Sequence, residues 1–296
     1  MTTRDRQTTT APDGRTLCFA EWGDPEGFPV FGLHGTPGGR LNRHYDESKY
    51  AEAGARLITY DRPGYGRSDR HPGRAVVDCV GDVAAIADAL GIDRFSVTGG
   101  SGGGPHSLAV AARLGDRVVR ARCHVGVAPY GVEDLDWFAN MDPNNVKEFG
   151  WALEGESALV PNLQRELDAM AARVAEDPSK ILGDDWDLDE ADRAVLGRKE
   201  VAGVIREATE DLHRGGVWGW VDDDLAFATA WGFEIAEIKV PVEVRYGAKD
   251  VLVPAAHGAW LAANVPDALV VVEDGQGHMG DPDKVIELTR WLVRGD

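Results

Sequence analysis

Short apolar runs and helically spaced apolar positions alternate along the first part of the chain. Strand-like runs at residues 8–10 and 16–22 flank Asp13-Gly14, a pair suited to a tight hairpin turn. Four more short runs follow at 29–33, 55–60, 95–98 and 118–127. Between them, residues 41–53, 76–90 and 101–114 read as helices. In the last of these, Leu108, Val110, Ala111 and Leu114 recur at helical spacing. Parallel strands need a crossover connection, so strand–helix–strand alternation predicts a mostly parallel sheet with helices on both faces.

The rhythm changes near Pro129. From there to about Trp231 the pattern is helical with almost no strand signal, clearest at 161–175 and 190–212. Strand and helix then alternate again: a strand at 240–246, a helix at 254–263, a strand at 268–272 and a helix at 281–292. The chain therefore reads as an α/β core, residues 1–130 and 236–296, interrupted by a helical insertion over 131–235. It shows no internal repeat and no low-complexity tract.

Composition narrows the function. The 296 residues carry 31 Lys plus Arg against 50 Asp plus Glu, a net charge of −19. Phosphate binding needs clustered basic residues, so nucleic acid is a poor partner, as is an anionic membrane surface. No run of 18 apolar residues is present, and the first ten residues lack the apolar stretch of a signal peptide. Cys18, Cys79 and Cys123 are odd in number and widely spaced. They suggest a cytoplasmic protein without a disulfide framework, and the sequence implies neither a metal nor a cofactor. The insertion holds 25 acidic and 9 basic residues, so −16 of the net charge sits there. Its Asp184–Glu190 run lacks the central glycine and terminal glutamate of a calcium loop and reads as a solvated acidic face. The 36 glycines cluster instead at 35–39, 64–66, 99–104 and 275–280.

One of these clusters, Gly99-Gly100-Ser101-Gly102-Gly103, fits G-x-S-x-G between a strand and a helix. Such a turn strains the central residue and lifts its hydroxyl above the sheet, at a helix end that favours negative charge. No lysine follows, so this is not a nucleotide phosphate loop. A nucleophilic serine needs a base and an acid that orients the base. His278, in a glycine-rich loop after the last strand, is the candidate base, because His106, His213 and His257 fall within helices. Asp250, directly after the 240–246 strand, is the candidate acid; Asp267 and Asp274 are less well placed. A developing oxyanion needs N–H donors. The backbone N–H groups of Thr36, in His34-Gly35-Thr36-Pro37-Gly38-Gly39, and of Gly102 are the candidates, since Pro37 has none to give. His34 reads as a loop-shaping residue bonded to backbone.

Taken in order, His34-Gly-Thr-Pro-Gly38, Asp61-Arg-Pro-Gly-Tyr-Gly-Arg-Ser68, the Ser101 turn, Gly247-Ala-Lys-Asp250 and Gly277-His278 resemble the α/β-hydrolase superfamily over nearly the whole chain. The resemblance implies an eight-stranded, mostly parallel sheet with a helical cap inserted after strand six. It also implies a cis Thr36–Pro37 peptide and a structural Asp61–Ser68 turn. Relatives that open epoxides or remove halide carry aspartate at the turn. Ser101 favours acyl transfer, as in a carboxylesterase-like serine hydrolase (EC 3.1.1) acting on a small, apolar, uncharged molecule. Relatives that remove an N-terminal proline bind its amine with cap carboxylates, but commonly have a bulky residue where Gly102 stands. A cofactor-free lyase or oxygenase, or a ligand-binding protein that has lost turnover, remains open on the same fold. Six of the nine tryptophans lie in the insertion. Trp137, Phe138, Trp218 and Trp220 are expected to line the substrate pocket.

Overall fold

The computed structural model describes residues 4–294, so the first three residues of the N-terminal stretch read above lie outside it. Eight strands form one sheet. They are β1 (Gln7–Thr10), β2 (Thr16–Gly23), β3 (Phe28–Leu33), β4 (Ala55–Tyr60), β5 (Phe95–Gly100), β6 (Val118–His124), β7 (Val242–Gly247) and β8 (Leu269–Glu273). Their spatial order is β1-β2-β4-β3-β5-β6-β7-β8. The β1/β2 and β2/β4 pairs are antiparallel, and every pairing from β4 to β8 is parallel. Phe31, Ile58, Phe95, Val97 and Leu108 are fully buried at the centre of the core. Parallel strands deliver their C-terminal ends to one edge of the sheet, where loops are free to carry chemistry. The loops after β3, β5, β7 and β8 hold all five candidate residues.

The core helices are α1 (Ser48–Glu52), α2 (Cys79–Ala89), α3 (Gly103–Arg113), α9 (Ala255–Asn264) and α10 (Val285–Arg294). Between β6 and β7 lie α4 (Pro143–Glu154), α5 (Glu156–Glu176), α6 (Glu190–Leu196), α7 (Lys199–Gly215) and α8 (Trp218–Phe227). These five helices form the cap, inserted after strand six. No described helix is long and apolar enough to cross a membrane.

Several elements differ from the sequence pattern for identifiable reasons. The helix expected over 41–53 shrinks to α1 because the residues before it are committed elsewhere. The Arg40 N–H and guanidinium both donate to Asp61, at 2.7 and 2.8 Å. The run at 190–212 splits at Gly197 and Arg198 into α6 and α7. The strand expected over 118–127 stops at His124, since Val125 turns to φ 45°. Two cap helices lay outside the expected set. Helix α4 begins at an Asp142 cap, which accepts the Asn144 N–H at 2.8 Å, with Pro143 at its first position. Helix α8 is buried around most of its circumference, so it lacks the polar stripe that makes a helix legible.

Candidate active site

Ser101 sits on the turn from β5 into α3 with φ 53°, a left-handed conformation that L-residues rarely adopt. The turn is held at both ends: the Ser101 N–H donates to the His124 carbonyl at 2.9 Å, and the Ser101 carbonyl accepts from the Gly104 N–H at 2.8 Å. The glycines around it are steric requirements. A Cβ on Gly99 would strike the Gly103 carbonyl, one on Gly103 would strike the Leu33 carbonyl, and one on Gly102 would lie 2.8 Å from the Thr36 Cβ. The Thr36 loop therefore lies directly against the residue after the serine.

That loop, after β3, contains a cis Thr36–Pro37 bond, as the resemblance implied. His34 shapes it through backbone: its Nδ1 lies 2.7 Å from the Gly35 carbonyl and its Nε2 3.2 Å from the Arg62 N–H. An accepting Nε2 makes Nδ1 the donor. The Asp61–Ser68 turn braces the site. The Asp61 carboxylate collects the N–H groups of Arg40 and Arg67, and Ser68 accepts the Cys18 N–H. Among the described residues, the N–H groups of Thr36 and Gly102 have no hydrogen-bond partner, leaving both open to an oxyanion.

The histidine loop comes from β8 and the acid from β7. His278 Nδ1 lies 2.7 Å from Asp250 Oδ2. The other Asp250 oxygen accepts the N–H groups of Leu252 and Val253, both at 2.9 Å, so the carboxylate cannot swing away. Burial alone would depress the His278 imidazole. The adjoining Asp250 carboxylate, with Asp192 further off, outweighs that and raises it above 6.5. His278 and Ser101 open into one cavity.

Two lobes meet at Ser101 and Thr36. One, about 190 Å³, has a partly polar lining in which Glu148, Glu166, Lys147 and Arg173 stand with Trp151, Trp186 and Trp220. Burial pushes the Glu148 carboxyl up, against the opposing effect of the Trp220 indole N–H, which donates to it at 2.8 Å. Burial, then the Glu148 charge, raises Asp224 as well. The other lobe, about 350 Å³, is lined mainly by apolar side chains of α6 and α7, including Leu196, Val204, Ile205 and Leu212. His278 faces this second lobe and not the first.

Of the four pocket residues expected from sequence, the structure places only Trp220 on the cavity wall. Trp137 is buried in the core cluster, its indole donating to the Ala128 carbonyl, and Phe138 packs beside it. Trp218 is exposed, with the Arg70 guanidinium 3.9 Å from its ring. Position near a core junction was a poor guide, because the cap's first segment docks on the core instead of roofing the serine.

Two cap aspartates were missed. Asp223, in α8, is fully buried against the Thr36 loop. It accepts from Thr36 Oγ1 at 2.6 Å, from the Tyr65 hydroxyl at 2.8 Å, and from the guanidinium groups of Arg62 and Arg74. Burial opposes its ionisation, but the two guanidiniums hold it well below the usual carboxylate range. Asp192, in α6, accepts the backbone N–H groups of His278 and Met279 at 2.8 and 2.7 Å. For Asp223 a signal existed: Asp222-Asp223-Asp224 interrupts an otherwise apolar stretch, and such a run inside a packed helix requires core cations. Asp192 offered none.

The model of one known family, described as alpha/beta hydrolase fold, matches residues 29–284. The chain belongs to that family. A proline iminopeptidase of Xanthomonas citri is 27% identical, over 94% of this chain and 92% of its own. A 2-hydroxy-6-oxononadienedioate/2-hydroxy-6-oxononatrienedioate hydrolase of Burkholderia vietnamiensis is 26% identical over 88% and 84%. The crystal structure of the enol-lactonase from Burkholderia xenovorans superposes with a TM-score of 0.67 at 23% identity, covering 97% of this chain and 98% of that one. This family membership makes the chain a hydrolase-fold protein suited to a small-molecule substrate.

Proposed function

We propose that this alpha/beta hydrolase cleaves an acyl bond through Ser101, His278 and Asp250. The observation that carries the reading is the strained Ser101 turn opening into the cavity that His278 faces, with the His278 ring bonded to a pinned Asp250. Ser101 Oγ attacks the carbonyl carbon and its proton passes to His278. The oxyanion accepts from the N–H groups of Thr36 and Gly102. Collapse breaks the bond to the leaving group, which takes the proton from His278. Water then attacks the acyl-enzyme, giving one proton to His278 and returning the Ser101 hydroxyl. Treatment with a fluorophosphonate should yield one adduct per chain, on the Ser101 peptide by mass spectrometry. An unmodified Ser101, or an adduct elsewhere, removes the reading.

His278 must be neutral to accept a proton. Since its ring titrates above 6.5 in the fold, kcat/KM for an uncharged ester should rise with pH through a midpoint above that value. A midpoint at or below 6.5 contradicts the arrangement.

The lobes suggest how the substrate lies. His278 protonates the leaving group, so that group belongs in the apolar lobe that His278 faces. The acyl part then enters the polar lobe. Its carboxylates, Glu148, Glu166 and Asp185, outnumber Lys147 and Arg173 and so favour an acyl group bearing a basic nitrogen, and the similarity to proline iminopeptidases supports the same choice. The second reading, an ester with an uncharged acyl group, is favoured by Gly102: Thr36 and Phe227 fill the space that a bulky residue after the serine would need. A prolyl arylamide and a p-nitrophenyl alkanoate separate the two. If the acyl group is cationic, Glu148→Gln should raise KM for the prolyl substrate about tenfold or more while changing the alkanoate less than about twofold. Equal effects on both exclude an amine contact with Glu148.

A further inference from the structure

The most buried link between the cap and the histidine loop is a single side chain. Asp192 is 1% exposed although it belongs to a short cap helix in a strongly acidic region. Each carboxylate oxygen takes one backbone N–H of the histidine loop, His278 on Oδ2 and Met279 on Oδ1. The loop backbone packs onto the carboxylate so closely that a Cβ on Gly277 would collide with it. The helix itself is fixed by Asp189, whose side chain caps the Asp192 N–H at 2.9 Å. Two other links from this region, Lys249 to Asp189 at 3.6 Å and Arg198 to Asp283 at 2.9 Å, lie near the surface and reach segments beside the histidine loop, not the loop itself.

We propose that Asp192 is a positioning residue for His278: a cap carboxylate grips the histidine loop by two adjacent N–H groups and sets where the imidazole stands relative to Ser101. Asp250 fixes the ring's rotation from one side, and Asp192 fixes its backbone anchor from the other. The cap then contributes to the reacting geometry as well as to the pocket wall. The proposal rests on the serine-hydrolase reading for its kinetic consequences, but the grip itself exists whether or not turnover occurs.

Asp192 also adds a negative charge near the ring. The groups around His278 are Asp250 from the loop after β7, Asp192 from α6 and His124 from the end of β6. Asp189 stands behind Asp192, with Lys249 beyond it. His124 is pushed down to about 4 by burial and by the Arg122 charge, so it is neutral near pH 7. Removing the Asp192 charge should therefore let His278 lose its proton more readily.

Two variants test this. Asp192→Ala leaves both N–H groups without their acceptor. It should lower kcat per fluorophosphonate-titrated site by about 10- to 100-fold, with KM for a small ester changed less than about threefold. Asp192→Asn keeps one oxygen acceptor, for one of the two N–H groups, and loses the charge. It should recover only part of kcat and move the His278 titration to lower pH, read both from the pH profile and from the imidazole resonances, assigned with His278→Gln. A purely structural role predicts unchanged kcat per titrated site in both variants, and that result overturns the proposal; a moved titration by itself reports only the lost charge. Should Asp192→Ala fail to fold, unchanged kcat per titrated site in Asp192→Asn overturns it alone. Wild-type protein that neither labels nor turns over would defeat the hydrolase reading; unaltered hydrogen exchange of the His278 and Met279 amides in Asp192→Asn, which requires no turnover, would separately overturn the grip.

Discussion

Replacing Ser101 with alanine is expected to lower kcat for a p-nitrophenyl ester by about 10⁴- to 10⁶-fold, leaving residual activity from the oxyanion donors and from binding. The change should not disturb the fold. Ser101 makes its recorded hydrogen bonds through backbone N–H and C=O, which alanine retains. The backbone strain at φ 53° remains, and a methyl group occupies no more space than the hydroxymethyl it replaces. Circular dichroism and the urea midpoint should match the wild type. Because all steps pass through this oxygen, Ser101→Ala should react no faster than a variant that also lacks His278. Additive losses in the double variant would mean that His278 acts without the serine, and wild-type turnover by Ser101→Ala would end the assignment.

The second large effect concerns stability. Asp223→Ala is expected to cost about 3–5 kcal/mol, because it strands two buried guanidiniums without their shared counter-charge. Arg62 is fully buried and Arg74 nearly so, and neither can turn to solvent. The Thr36 and Tyr65 hydroxyls lose their acceptor at the same time. Urea denaturation should show a lower midpoint with little change in slope. The pH dependence carries a definite sign. Asp223 ionises well below its usual 3.8 in the fold, so its contribution is complete above the unfolded value and is lost as pH falls through the folded value. The gap between wild type and variant should therefore stay constant from pH 5 to 8 and close only in acid. A gap that opens or closes near neutrality would place the important charge elsewhere.

Backbone requirements made much of this protein legible. The Ser101 turn, the Thr36 loop and the His278 loop each need glycine where chain meets chain, and those glycines stand out against any background. The parallel core was readable because its strands are short, apolar and separated by helical spacing. Side-chain destinations in the cap were not readable. Trp137 and Trp151 look alike in sequence, yet one packs on the core and the other faces the cavity. Likewise Asp184 is exposed and pairs with Lys180, whereas Asp192, eight residues on, is buried beneath the histidine loop. Asp192 gives no local sign of its burial; the deciding partner is a backbone segment more than 80 residues away. The charge count told where acid accumulates but not which acids face inward. All three of Asp222, Asp223 and Asp224 are buried.

The grips of Asp223 and Asp192 reach opposite ways along the chain: the first holds residues made before it, the second residues made after it. During synthesis the strands through His124 and the serine turn emerge first, and the cap follows with both aspartates. The loop that Asp192 holds is among the last pieces to arrive. A domain folds as a unit, and β7 and β8 belong to the same sheet as the earlier strands, so the grip of Asp192 closes only once both have joined it. The cavity, which Leu252, Val253 and His278 help to line, is complete only then.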